Sequence, residues 1–434
     1  MLIPGLLRRS QAPLTSLTRS HSLLCRSFAS TSWRSRSTLQ ADEETLSKLP
    51  GLDASKLSIT KTITPKKIVP PEELVFGRTF TGLFVEGCIP TENADTIPLI
   101  DHMLSIEWTV SSGWQAPRIT PYQNLSLDPA TCVFHYAFEC FEGMKAYRCP
   151  KDSSLRLFRP DKNMARFNKS AARIALPTFD GPTLIALIGR LCSLDSRFIP
   201  NARGYSLYLR PTLIGTQRTL GVGPPGSALL YVIASPVGPY FPTGMKAISL
   251  EATDYAVRAW PGGVGDKKLG ANYAPCIVPQ MRAASRGFHQ NLWLFGEEEL
   301  LTEVGTMNLF VAMKDKETGQ NELVTAPLDG TILEGVTRDS VLALARERMA
   351  PKGWKISERY ISMKELAKAE EDGRLLEVFG AGTAAIVSPV RKICWKDRLI
   401  DCGLKPGEEA GEVAIQIKEW MEGIQYGDED HEWR

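Results

Sequence analysis

Trp260-Pro261-Gly262-Gly263-Val264-Gly265-Asp266-Lys267-Lys268-Leu269-Gly270-Ala271-Asn272-Tyr273 is the stretch that decides how this chain is read. Gly262, Gly263, Gly265 and Gly270 let the backbone approach a ligand closely, and two lysines stand among them. A lysine held in a tight pocket loses its proton readily and can form a Schiff base. On composition alone, however, the same residues describe a solvent-exposed basic loop. The neighbouring sequence has to decide between the two.

Outward from this loop, four further stretches stand out. Downstream lie Leu301-Thr302-Glu303-Val304-Gly305-Thr306-Met307-Asn308, Leu333-Glu334-Gly335-Val336-Thr337-Arg338 and Phe379-Gly380-Ala381-Gly382-Thr383-Ala384. Upstream lies His135-Tyr136-Ala137-Phe138-Glu139-Cys140-Phe141-Glu142-Gly143. In this order the five segments resemble the branched-chain amino-acid aminotransferases, pyridoxal 5'-phosphate enzymes of fold type IV. The resemblance runs from about Phe76 to Ile424-Gln425-Tyr426-Gly427, most of the chain. It implies a mixed α/β (α+β) protein of two domains, D-amino-acid aminotransferase-like in architecture.

The resemblance also implies roles. The family's G-D-x-K pattern puts the Schiff base on Lys268 rather than Lys267, because consecutive residues of an extended backbone point to opposite sides. Lys268 then doubles as the amine that moves a proton between substrate Cα and cofactor C4′. Glu303 is implied as the partner of the pyridine nitrogen, where a carboxylate keeps the ring an electron sink. Tyr273 is implied at the ring's 3′-oxygen. For the phosphate the implied residues are Arg166 (binding bidentately), Val336, Thr337 and Thr383, with Thr306 also near the cofactor. Gly335-Val336-Thr337 precedes an apolar helical run, so its N–H groups would face an anion at a helix N-terminus. The implied substrate pocket is Phe80, Tyr136, Phe141, Tyr208 and Val222, with Thr306 and the Ala384 N–H near the α-carboxylate. Aromatic and aliphatic walls suit leucine, isoleucine and valine. The second substrate, glutamate or 2-oxoglutarate, needs a cation for its extra carboxylate, and Arg210 is implied there. The family is dimeric, so a homodimer that shares its pocket is expected.

The remainder of the sequence sets bounds. The chain has 434 residues, 43% hydrophobic and 23% charged, and no apolar run long enough for a membrane span. Residues 1–36 carry six arginines and no acid, which leaves the rest of the chain net −4 and without a global pull toward nucleic acid. The leader is Ser-rich and amphipathic, the mitochondrial type, with a cleavage-like Arg26-Ser27-Phe28-Ala29-Ser30-Thr31, so the matrix is the expected location. Nine cysteines without a C-x-x-C pair and five scattered histidines fit neither a zinc site nor a disulfide scaffold. No metal is expected.

An N-terminal extension is expected at 37–69, a small α/β domain at 70–235, a linker at 236–246 and a large cofactor-binding domain at 247–434. The linker rests on Ser235-Pro236-Val237-Gly238-Pro239-Tyr240-Phe241-Pro242, which reads as unable to continue the strand 228–234. Strands are expected at 247–250, 291–295 and 308–312, and helices at 337–349 and 413–421. Gly221-Val222-Gly223-Pro224-Pro225-Gly226 matches a dinucleotide fingerprint but precedes a strand, and Gly330–Gly335 lacks the P-loop's Lys-Ser/Thr, so both are chance matches.

Two departures from the family stand out. Where mammalian members carry a C-x-x-C redox pair, this chain has Ala385-Ile386-Val387-Ser388. Residues 82–100 interrupt a pattern that runs from Phe80-Thr81 to Asp101-His102-Met103, and read as a short intron translated in frame, with a native surface loop as the alternative. One rival function is a D-amino-acid transaminase or aminodeoxychorismate lyase, disfavoured by Tyr208-Leu209-Arg210-Pro211 and His135-Tyr136. The other is a non-catalytic relative disabled by the interruption.

Overall fold

The computed structural model describes residues 49–74, 98–240 and 244–433. The leader at 1–36, Phe80 and most of 82–100 lie outside the described residues. The fold begins earlier than the expected residue 70. Leu52 is buried in the first core, and Ser58–Ile59 already form a strand. Ile100, at the end of the stretch 82–100, is 0% exposed, and its N–H donates to the Ala234 carbonyl (3.1 Å).

Two nine-stranded sheets organise the chain. The first is built from β1 (Ser58–Ile59), β2 (His102–Thr109), β3 (Gly113–Trp114), β4 (Arg118–Pro121), β5 (Glu139–Phe141), β6 (Met144–Arg148), β7 (Leu155–Leu157), β8 (Ser206–Gly215) and β9 (Ser227–Val237). Their spatial order is β1-β4-β2-β9-β8-β6-β7, with β3 beside β2 and β5 beside β8. Alternation along β8 sends Leu207, Leu209 and Leu213 to one face, all at 0% exposure, and Tyr208, Arg210 and Thr212 to the other. A short helix, α1 (Cys132–Tyr136), precedes β5. The apolar face is covered by α2 (Pro160–Arg173) and α3 (Gly181–Leu194) through Met164, Phe167, Leu184, Leu187 and Leu191. Asp180 caps α3, accepting from the Thr183 N–H (2.8 Å).

β9 runs through Pro236 and Val237, paired to Leu207 and Ser206 of β8, so the proline-rich stretch does continue the sheet. β2 pairs with β9 only as far as Val232. Beyond that point one edge of β9 is unclaimed by β2, and a strand edge tolerates a residue without an N–H.

The second sheet contains β10 (Ile248–Thr253), β11 (Gln290–Phe295), β12 (Leu300–Val304), β13 (Met307–Lys314), β14 (Asn321–Thr325), β15 (Lys355–Glu358), β16 (Leu375–Gly382), β17 (Ile386–Trp395) and β18 (Arg398–Asp401). Its path is β12-β11-β10-β17-β16-β13-β14-β15, with β18 beside β17. β12 also pairs with β13, which closes six of the strands into a ring. Parallel pairs (β10–β11, β10–β17, β14–β15) mix with antiparallel ones, as the α+β expectation requires. Around it lie α4 (Ile277–Ser285), α5 (Val336–Arg348), α6 (Met363–Glu371) and α7 (Glu412–Gln425). Among the described residues no helix is long and apolar enough to cross a membrane.

Candidate active site

Lys268 sits between β10 and α4, and its backbone is tied to the other sheet. Its N–H donates to Ser170 Oγ of α2 (2.8 Å), and its carbonyl accepts from the Phe141 N–H of β5 (3.1 Å). Two loop glycines are required by close approach. A Cβ at Gly265 would collide with the Thr331 carbonyl, and one at Gly270 with the Glu139 carboxylate. Lys268 Nζ donates to the Tyr273 hydroxyl (3.1 Å) and lies 4.7 Å from the centre of the Phe141 ring. Phe141 and Tyr273 stand 5.2 Å apart and wall the amine in. Lys267 points elsewhere and pairs with Asp266, which also meets Lys169 (3.3 Å).

Glu303 on β12 is 2% exposed. Its Oε1 accepts from the Leu333 N–H (3.0 Å) and from Asn308 Nδ2 of β13 (3.1 Å). Oε2 lies 2.7 Å from Arg258 Nη1 but has no hydrogen bond of proper geometry. Burial pushes the Glu303 carboxyl up, opposed by Arg258, the Leu333 N–H, Lys268 and Arg166. That Lys268 and Arg166 both act on Glu303 puts the three groups within one electrostatic neighbourhood.

Arg166 requires a correction. Its bidentate partner is Glu142, reached through Nε and Nη2 at 2.7 Å each, and Nη1 donates to the Glu334 carbonyl (3.0 Å). Only the donors left over can serve an anion. The N-terminus of α5 lies close by. Val336 and Thr337 are buried, the cap residue Gly335 offers no side chain, and a Cβ there would strike Asn308 Oδ1. The first-turn N–H groups of a helix have no intrahelical acceptor, so this end is a ready anion cradle. Val336, Thr337 and Thr383 line one cleft together with Gly143, Lys145 and Asn163.

Thr383 and Ala384 occupy the turn between β16 and β17. The turn closes through Ile386, whose φ of 64° is an outlier for a β-branched residue, with Val387 N–H donating to the Ala385 carbonyl (2.8 Å). Lys145 Nζ, from β6, donates to the Ala384 carbonyl (2.8 Å) and so ties this turn to the first sheet. Tyr208 packs with Ala384, and its hydroxyl accepts from Arg210 Nη2 (3.1 Å). The Arg210 guanidinium lies 4.8 Å from the Phe141 ring centre. Phe141 therefore stands between the lysine and the arginine.

Three expected residues are not gathered here. Tyr136 and Val222 are exposed (Val222 by 76%), and the Tyr136 hydroxyl donates to the Leu220 carbonyl. Thr306 is exposed in the turn between β12 and β13. Sequence reasoning missed Arg258, Glu142, Lys145 and Ser170. The first three carried one faint signal, a charge set inside or directly beside a motif strand or loop. A separate buried cluster, Asp101, His102 and Asp195, has metal-like donors, but His102 Nδ1 is bonded to Asp195 (2.7 Å) and Nε2 accepts from the Thr62 N–H (3.0 Å). It is an internal strut.

Comparison with known proteins shows the family. A model of the family "Amino-transferase class IV" matches residues 139–393. The chain is 60% identical over 376 residues to the mitochondrial branched-chain-amino-acid aminotransferase of Saccharomyces cerevisiae, covering 87% of this chain and 91% of that one. It is 59% identical to the cytosolic form of the same organism, covering 88% and 96%. Among solved structures, the fold is shared with the branched-chain amino acid aminotransferase of Escherichia coli, which superposes with a TM-score of 0.58 at 23% identity, covering 77% of this chain and 97% of that one. By the family model and by these relatives, this chain belongs to the class IV aminotransferases and, within them, to the branched-chain-amino-acid aminotransferases.

Proposed function

We propose that this protein transfers the amino group of leucine, isoleucine or valine to 2-oxoglutarate, reversibly and in a ping-pong cycle. The observation that carries the reading is the meeting of Lys268, Tyr273 and Phe141 with buried Glu303 and the uncapped start of α5. As a class IV aminotransferase it uses pyridoxal 5'-phosphate, which when bound supplies an electron sink for the bonds at the substrate's Cα.

The residues present fit that group. The buried Glu303 carboxylate, paired through Oε2 with Arg258 (2.7 Å) but without a hydrogen bond of proper geometry there, suits the nitrogen of a protonated ring. The α5 N-terminus, Thr337, Thr383 and the remaining donors of Arg166 suit a phosphate. Lys268 would hold the cofactor, and its amine is the group that would move the proton at the substrate's Cα. Tyr273 fixes the amine's position beforehand. Glu142 holds Arg166 rigid, and Arg258 keeps Glu303 charged. The α-carboxylate goes to the Ala384 N–H, the aliphatic side chain packs on Phe141 and Tyr208, and Arg210 receives the second carboxylate of glutamate.

Tyr136 and Val222 complete the pocket from a second subunit. Supporting this, Phe134, Tyr136, Leu220 and Val222 form one exposed apolar group, and Trp260, Ile277, Val278 and Met281 another around the lysine loop. The two-domain division near 238–246 belongs to the same proposal, as does delivery to the matrix by residues 1–36. Protein with twice the mass of the chain freed of its leader should convert leucine, isoleucine and valine with 2-oxoglutarate. Activity confined to single chains, or no transfer from any of the three, would contradict the reading. N-terminal sequencing of the mitochondrial protein tests the leader, since an intact Met1 there would remove its role.

A further inference from the structure

A site that takes both leucine and glutamate faces a conflict. The γ-carboxylate needs a cation, yet an unpaired guanidinium beside an isobutyl group is costly. From the arrangement around Arg210 we infer that Glu139 is its resting counter-charge, and that this pair sets the balance between acidic and aliphatic substrates. The inference rests on the reading of Arg210 given above.

Register places the two residues on one face. Phe141 pairs with Thr212 and Glu139 with Ile214, so Glu139 and Phe141 of β5 share a side with Tyr208 and Arg210 of β8. Cys140 and Leu213 point the other way, into the core, at 0% exposure. On the site face the Arg210 guanidinium lies over Phe141, and its Nε is buried without a hydrogen bond. The half-buried Glu139 carboxylate rests against Gly270 of the lysine loop, where any side chain would displace it. Among the described residues no hydrogen bond engages its oxygens. Burial pushes the Glu139 carboxyl up, and Arg210 is the cation that opposes this.

With an aliphatic side chain in place, Glu139 neutralises Arg210 and the far end of the site carries no net charge. When a dicarboxylate enters, its distal group competes with Glu139 for the same guanidinium and is repelled by it. Glu139 therefore weakens acidic substrates and protects aliphatic ones. It acts through Arg210 and is a positioning residue.

The test uses holoenzyme and the isosteric Glu139→Gln. The ratio of kcat/KM for glutamate to kcat/KM for leucine should rise roughly tenfold, the scale of one partly screened charge pair. Glu139→Asp, which keeps the charge, should restore a ratio near the wild-type value. A merely structural role would lower both substrates together and leave the ratio unmoved. Arg210→Ala is run alongside. If it selectively impairs glutamate while the Glu139→Gln ratio stays within twofold of wild type, the inference fails and the reading of Arg210 stands. If Arg210→Ala impairs both substrates equally, Arg210 does not meet the second carboxylate, and both fall.

Discussion

Two lysines at the site, Lys145 and Lys268, differ in what already holds their nitrogen. Burial pulls the Lys145 ammonium down to about 8, yet its Nζ is committed to the Ala384 carbonyl across the two sheets. Lys268 Nζ instead faces a tyrosine hydroxyl beside an aromatic wall. Lys145 thus works by holding the turn whose next N–H groups are proposed to take the α-carboxylate. Lys145→Met keeps the bulk and deletes one charged hydrogen bond, worth about 1.5–3 kcal/mol. KM for leucine and 2-oxoglutarate should rise together by roughly tenfold or more, with kcat less affected. A lowered melting temperature with unchanged KM values would mean that the bond only supports the fold. Lys145 left only a faint signal in the sequence, because a lysine in a short strand reads as surface. The same holds for Arg258 and Glu142, whose burial depends on chain segments 45 and 24 residues away in sequence, at Glu303 and Arg166. Lys268, Glu303 and Tyr273 were legible only because several motifs occurred in order.

Elements with strong apolar patterns were read well. The strands expected at 228–234, 291–295 and 308–312 are β9, β11 and β13, and the helix expected from Thr337 starts at Val336. The failures share a cause, since composition reports a residue's preference and not its neighbours. Pro236 lies in β9 because the adjoining strand has ended there. The parallel pairing of β14 with β15 depends on a charge network that sequence could not announce. Glu322 is 1% exposed and meets Arg359 (2.9 Å) and Lys355 (3.2 Å). Although burial opposes it, hydrogen bonds from Arg359, Ser357 and Lys355 hold its carboxyl down at about 2. A depressed carboxyl contributes stability above its unfolded value near 4.5 and loses it as pH falls toward 2. Between pH 5.5 and 3 the wild type should therefore lose roughly 2 kcal/mol more unfolding free energy than Glu322→Gln. Parallel losses in denaturant titrations of the two proteins would show that Glu322 is not held low.

At the scale of the whole molecule, the mixed α/β class followed from the resemblance. The start of the fold did not. Residues 49–59 mix apolar and polar residues without a sustained period, yet Leu52 packs under the first sheet and β1 extends its edge through β4. Tyr136 and Val222 were assigned to the pocket from motifs that carry no information about which subunit supplies them. Their exposure is what the proposed second subunit would cover.

The central claim is that the molecule converges on a single lysine. Borohydride reduction of the pyridoxal 5'-phosphate-loaded protein, followed by peptide mass mapping, tests it most directly. The account predicts the phosphopyridoxyl group on Lys268 alone, in the peptide that also carries Gly265 and Asp266. Its recovery on Lys267 or Lys145, or on no lysine at all, would contradict the account.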